Sequence, residues 1–239
     1  MFLFWIALIL IILVLTWHFL TKKYINPYKL YILFGPKGVG KSTMLQKLVY
    51  YYNKLGYNIY CNIGDCDLPC VIPIKIEDIG LLSKAYKDKS LQIKLKNDYQ
   101  KQGLKVACAV KPNSVIFCDE INLIWDNRSF KQFTKDQQYY FRKQRHYKHI
   151  FIGFSQTFDC DKKIRDLADY IVLMKKLGRV WIRGQAWQKK QVVVGATEDN
   201  NRDQGLIVDN FVPMGFFYNI SSPFNCWLPK WVKVHNSWS

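Results

Sequence analysis

Residues 35–42 read Gly35-Pro36-Lys37-Gly38-Val39-Gly40-Lys41-Ser42 and meet every fixed position of G-x-x-x-x-G-K-[ST]. The run before them, Leu30 to Phe34 (LYILF), is apolar throughout and reads as a buried strand. The residues after them, Lys41 to Lys54, carry Leu45, Leu48 and Val49 at helical spacing and stop near Gly56. A strand, a glycine-rich loop and a helix in that order commit this part of the chain to an α/β fold with a phosphate site at the loop. Glycines let the backbone wrap a phosphate closely, and the helix presents its N-terminus to the same charge. The chemistry assigns Gly35 to Thr43 to nucleotide binding. Lys41 reaches the outer phosphates of ATP, and Ser42 is a ligand for Mg²⁺.

Ser114 to Cys118 (SVIFC) is a second apolar run, and it ends in Asp119-Glu120. In an open α/β sheet that delivers carboxylates to the C-terminal edge, where ligands bind. Asp119 is then the Mg²⁺ carboxylate, and Glu120 positions and polarises the attacking water; the plain alternative is a solvated acidic pair. Hydrolysis of this kind often adds an arginine, from the same chain or a neighbour. Arg142, Arg145 and Arg165 are the candidates, Arg145 first. Gln156, just past the run His149 to Phe154, is placed to sense the terminal phosphate or is a surface loop amide.

The rest of residues 29–178 continues the alternation. Strands are expected at Tyr57 to Ile63, His149 to Phe154 and Tyr170 to Met174. One or two helices are expected in the Lys-rich Leu81 to Gln102, a basic helix from Arg128 to Tyr147 and a short one at Lys162 to Leu167. This predicts a mostly parallel sheet with helices on both faces. Beyond about Leu177 the pattern changes: Val180 to Arg183 and Gln191 to Val194 look like the two arms of a hairpin in a β-rich extension, residues 179–239.

Phe2 to Leu20 has no Lys, Arg, Asp or Glu, and its length matches a helix crossing a bilayer core of about 30 Å. Trp5 and Trp17 stand near its ends, as at an interface. No basic residue precedes the run and no Ala-x-Ala follows it, which argues against a secretory signal; a buried core helix is the other alternative. Lys22 and Lys23 follow at once and place the C-terminal side in the cytoplasm. The expected organisation is a transmembrane helix at 1–21, a linker at 22–28, the nucleotide domain at 29–178 and the extension.

Thirty-five Lys and Arg against 18 Asp and Glu give a formal charge of +17, which favours an anionic partner, nucleic acid or membrane. Seven scattered cysteines do not make a disulfide scaffold, and near Cys61, Cys66 and Cys70 no His completes a zinc set. Between Lys131 and Lys148 six cations are opposed only by Asp136, and Tyr139, Tyr140, Phe141 and Tyr147 are interleaved with them. Such a stretch suits a single strand of DNA, or a helix with its rings in the core.

Residues 141–167, FRKQRHYKHIFIGFSQTFDCDKKIRDL, resemble the zonula occludens toxin-like, filamentous-phage assembly ATPases. The resemblance rests on Arg145-His146, the strand to Phe154, Ser155-Gln156, Asp161 and Ile164-Arg165, with Asn62-Ile63 earlier. It implies a RecA-like P-loop ATPase working as a homo-oligomeric ring. That ring would move single-stranded phage DNA through the host inner membrane, with phage coat or assembly proteins as partners. In that family the span usually follows the ATPase domain; here the apolar run comes first. A DNA pump for packaging or conjugation, a small-molecule kinase and a non-hydrolysing ATP-binding scaffold are the competing functions.

Overall fold

The computed structural model describes residues 2–21, 26–62, 68, 70–125, 133–157, 162–194, 206–215, 218–219 and 222–231. Expectations resting on Lys22, Lys23, Ile63, Cys66, Arg128, Phe130, Lys131 and Asp161 lie outside the described residues.

Six strands run parallel: β1 (Leu30–Phe34), β2 (Asn58–Cys61), β3 (Val71–Pro73), β4 (Ser114–Cys118), β5 (His149–Ser155) and β6 (Tyr170–Leu177). Three more pair antiparallel beyond β6: β7 (Trp181–Val194), β8 (Leu206–Pro213) and β9 (Asn225–Trp227). The order is β3-β2-β4-β5-β1-β6-β7-β8, with β9 beside the start of β7. Every residue of β4 and β5 is buried, as uninterrupted apolar runs in a doubly covered sheet should be.

Helices cover both faces. On one, α2 (Lys41–Lys54) sets Met44, Leu45, Leu48 and Val49 against Leu33, Phe117 and Ile152. On the other, α3 (Ile79–Ala85), α4 (Lys89–Lys101), α5 (Ile121–Ile124) and α6 (Lys135–Lys143) pack over Ile32, Ile116 and Phe151. The Lys-rich stretch is therefore two helices, and Asp88 caps the second by accepting from Ser90 N and Leu91 N. The expected basic helix is shorter than its reading. It starts at a Thr134/Gln137 capping box and tightens into a 3₁₀ turn at Gln144–Tyr147. Its Tyr140 and Phe141 are buried beside Phe133 and Trp125, so those rings belong to the core and are closed to stacking with bases.

The two supposed arms of a hairpin, at 180–183 and 191–194, are the start and end of one strand, β7. Its partners are β6 and β8, so sheet pairing runs straight through the polar stretch between those arms. Strands β7, β8 and β9 thus continue the same sheet, and Lys47 Nζ of α2 donates to Pro223 O and to Asn225 O (2.6 Å) to fasten the segment between β8 and β9.

The N-terminal run forms α1 (Phe2–Thr21). In α1 the side chains are described from Phe4 to Trp17 and at Leu20, and all are exposed; among the residues so described no helix is long and apolar enough to cross a membrane.

Candidate nucleotide site

Parallel strands collect their C-terminal ends along one edge, and the loops after β1, β4 and β5 meet there. Strand β5 lies between β1 and β4. With strands about 4.8 Å apart, the phosphate loop and Asp119-Glu120 face each other across about 10 Å, a gap of the size that a phosphate and a metal ion fill.

The loop is built by its backbone. Gly35 N donates to Ser155 O (3.2 Å) and ties the loop to β5, and Val39 N donates to Pro36 O (3.2 Å) in a tight turn. Gly38 and Gly40 hold φ of 79° and 98°, conformations that a side chain resists. Gly40 is the N-cap of α2, and Met44 N donates to its carbonyl (2.9 Å) to start the helix. Lys41 Nζ donates to Gly35 O (3.0 Å) and Pro36 O (3.5 Å), so the ammonium lies over the cradle. Ser42 is exposed to the site while Thr43 is buried. A cavity of about 700 Å³ opens beside the loop, lined by Gly35 to Val39, Gln156 and the end of β6 with Lys175 and Lys176.

On the facing side Asn62, just past β2, grips Asp119 twice. Its Oδ1 accepts from Asp119 N (2.8 Å), and its Nδ2 donates to Asp119 O (3.1 Å). Glu120 follows in the left-handed region (φ 50°, ψ 57°), a costly conformation of the kind that gathers at functional sites. Gln156 Nε2 donates to Glu120 Oε1 (2.6 Å), which joins the β4 and β5 loops. Burial holds the Asp119 carboxyl above the usual range, Glu120 adds to this, and the Lys41 ammonium opposes it. A buried carboxylate beside an acidic neighbour is one that a divalent cation would relieve, so Ser42 and Asp119 fit Mg²⁺. Among the described residues no three His, Cys, Asp or Glu side chains gather into a metal site of their own. Cys61 is buried and Cys70 is half-buried.

The structure therefore brings together the loop, Lys41, Asp119, Glu120 and Gln156. It leaves Arg145 elsewhere. That residue precedes β5 and pairs with Asp169 at the other end of the sheet. At about 3.3 Å per residue along β5, it is roughly 20 Å from the loop of its own chain. Arg142 lies at the same end, and Arg165 is on α7 (Lys162–Leu167), which leads there. Sequence reasoning missed Asn62 as a brace, and it missed Lys175 and Lys176. The lysines carried the same signal as Asp119-Glu120, charge directly after an apolar strand.

The family model "ATPase family associated with various cellular activities (AAA)" matches residues 31–202. No curated protein matches the chain. Among solved structures it is similar to the N-terminal domain of zonular occludens toxin from Neisseria meningitidis, at 13% identity over 79% of this chain and 95% of that one, TM-score 0.43. It is also similar to the genome packaging NTPase B204 from Sulfolobus turreted icosahedral virus 2, at 15% identity over 65% and 78%, TM-score 0.41. A third is the flagellar accessory protein FlaH from Methanocaldococcus jannaschii, at 15% identity over 66% and 76%, TM-score 0.40. The family match spans the phosphate loop, the paired carboxylates and all six parallel strands save the first residue of β1, and on it the chain belongs to the ATPase family associated with various cellular activities and is a P-loop ATP hydrolase.

Proposed function

We propose that this ATPase is anchored in the host inner membrane by α1, with its N-terminus outside and its nucleotide domain in the cytoplasm, and that it drives single-stranded phage DNA outward during virion assembly. The observation that carries the anchoring is α1 itself: 20 helical residues without a Lys, Arg, Asp or Glu. At 1.5 Å per residue they extend about 30 Å, the thickness of a bilayer core. The DNA partner is supported by the charge of +17 and by the resemblance of residues 141–167 to phage assembly ATPases.

In this reading the substrate ATP lays its phosphates in the loop of residues 35–43, and Lys41 leaves the carbonyls of Gly35 and Pro36 for the outer phosphates. Bound at Ser42 and Asp119, Mg²⁺ would supply positive charge to the transferring phosphoryl group. Glu120 orients the attacking water, and its strained backbone is held by the brace from Asn62 to Asp119. The Gln156 amide that now holds Glu120 is also the group that a terminal phosphate attracts, so a bound triphosphate competes for it and frees the carboxylate. Arg145 is too far from its own loop to take part; a contribution from it comes across the interface of a ring. Phage coat or assembly proteins are the further partners of such a motor.

The test is ATP hydrolysis by the full chain reconstituted in vesicles, with and without single-stranded DNA. The expected result is stimulation by DNA that falls steeply with salt, as phosphate contacts require. Hydrolysis indifferent to DNA at every salt concentration removes the export reading and leaves the ATPase. The same stimulation by duplex DNA favours a packaging or conjugation pump.

A further inference from the structure

The edge of the sheet opposite the nucleotide site has a chemistry of its own. All six parallel strands begin there. The segments leading into β2, β4 and β5 carry Lys54, Lys111, Arg142, Lys143, Arg145 and Lys148, all exposed. Residues 26–29, 54–57, 111–113 and 142–148 contain no Asp or Glu. The acids entering β6 are Asp166 and Asp169, and Asp169 is taken by Arg145. The end of α2 adds Tyr50, Tyr51 and Leu55, which are 40%, 43% and 55% exposed. Cations beside exposed amphipathic rings match the composition of proteins at a headgroup layer.

The path of the chain says what this edge faces. Residues 22–29 alone separate α1 from β1, a reach of at most about 27 Å. The end of that tether is clamped to the edge. Tyr28 Oη donates to Asn113 Oδ1 (3.2 Å), Gln144 Nε2 donates to Tyr28 O (3.2 Å), and Leu30 N donates to Asp169 Oδ2 (2.9 Å). A helix in the bilayer therefore brings this edge to the membrane and turns the nucleotide site away from it.

We infer that the edge formed by the starts of β1, β2, β4 and β5 docks on the anionic headgroups of the leaflet that α1 enters. The inference rests on the membrane anchoring proposed above. It excludes the far end of the sheet, where β7 and β8 pair on past Gln188, the partner of the first residue of β6. The contact is electrostatic. Each Lys or Arg near an anionic surface strengthens attachment about fivefold, and the effect is lost in high salt.

Lysine acetylation footprinting of the full chain in lipid nanodiscs tests this. One disc holds phosphatidylglycerol and phosphatidylcholine in equal parts, the other phosphatidylcholine alone. Lys54, Lys111, Lys143 and Lys148 are expected to react about fivefold or more slowly in the anionic disc, while Lys87 and Lys89, exposed around the start of α4, react equally in both. Equal rates for all six in a chain that incorporates into both discs overturn the docking and leave the anchor standing. A chain that enters neither disc overturns both readings. Protection of the four lysines by single-stranded DNA and not by phosphatidylglycerol overturns the docking and gives the edge to nucleic acid.

Discussion

Gly38 and Gly40 sit two residues apart in the same loop, both at positive φ, yet alanine at the two positions has different costs. Around Gly38 an added Cβ meets nothing within 4 Å. Gly38→Ala therefore bears only the left-handed backbone, about 1–2 kcal/mol. At Gly40 the same Cβ would lie 2.5 Å from Ile182 Cδ1 and 3.5 Å from Leu228 Cδ2. Ile182 is fully buried on β7, so its terminal methyl has little room to withdraw, and overpacking adds about 1 kcal/mol or more. Gly40→Ala is expected to cost about 2–3 kcal/mol in all. For a domain of this size, 1 kcal/mol moves Tm by about 2–4 °C. Thermal unfolding followed by circular dichroism should thus show Gly40→Ala melting several degrees below Gly38→Ala. The cause is identified by the double variant. Ile182→Val removes Cδ1, costs about 1 kcal/mol alone, and should recover most of the difference in the Gly40→Ala background. Equal melting of the two alanine variants, or no recovery with Ile182→Val, would refute the claim that β7 buttresses the phosphate loop.

His149 gives a pH signature. Burial pushes its pKa down to about 4, against a weaker upward pull from its bond to Lys111 O. The unfolded side chain titrates near 6.5, so the native state is at full stability above about 6.5 and loses about 3 kcal/mol as pH falls from there to 4. Denaturant titrations at pH 7.5 and 4.5 should show this loss, and His149→Gln should flatten it. Asn62→Ala removes both bonds to Asp119; turnover is expected to fall about tenfold to a hundredfold while affinity for nucleotide changes little, measured by steady-state kinetics beside equilibrium binding. Asp119→Asn relieves a buried carboxylate whose pKa is raised. The cost of its charge sets in as pH rises past the ordinary carboxyl value and is complete above the raised one, so the nucleotide-free variant should melt higher at pH 7, and no higher at pH 3. The same variant should lose hydrolysis.

The parts of the fold visible in the sequence are those fixed by local chemistry. LYILF before the loop, SVIFC before Asp119 and HIFIGF before Gln156 are buried on both sides and show it as unbroken apolar runs. The helix after Gly40 declares itself by spacing. What was hidden depends on partners distant in sequence. The polar middle of β7 is a strand because β6 and β8 pair with it. Tyr140 and Phe141 sit between cations and read equally as a stacking surface; Trp125 and Phe133 against Phe141, and His149 against Tyr140, make them core. Asn62 has no local feature that sets it apart from any asparagine after a strand, because the backbone it holds is 57 residues away. Arg145 had the composition of a catalytic arginine and the position of a structural one, and position needed the direction of β5.

Hydrolysis at this site depends on Lys41 and Glu120 facing each other across β5. Steady-state ATP hydrolysis and nucleotide binding by the full chain, compared with Lys41→Ala and Glu120→Gln, measure it directly. Glu120→Gln should bind ATP like the unaltered protein and hydrolyse it about a hundredfold more slowly or worse, while Lys41→Ala should lose binding as well. Glu120→Gln turning over ATP at the unaltered rate would contradict the assignment of the water-activating carboxylate, and with it the site as described.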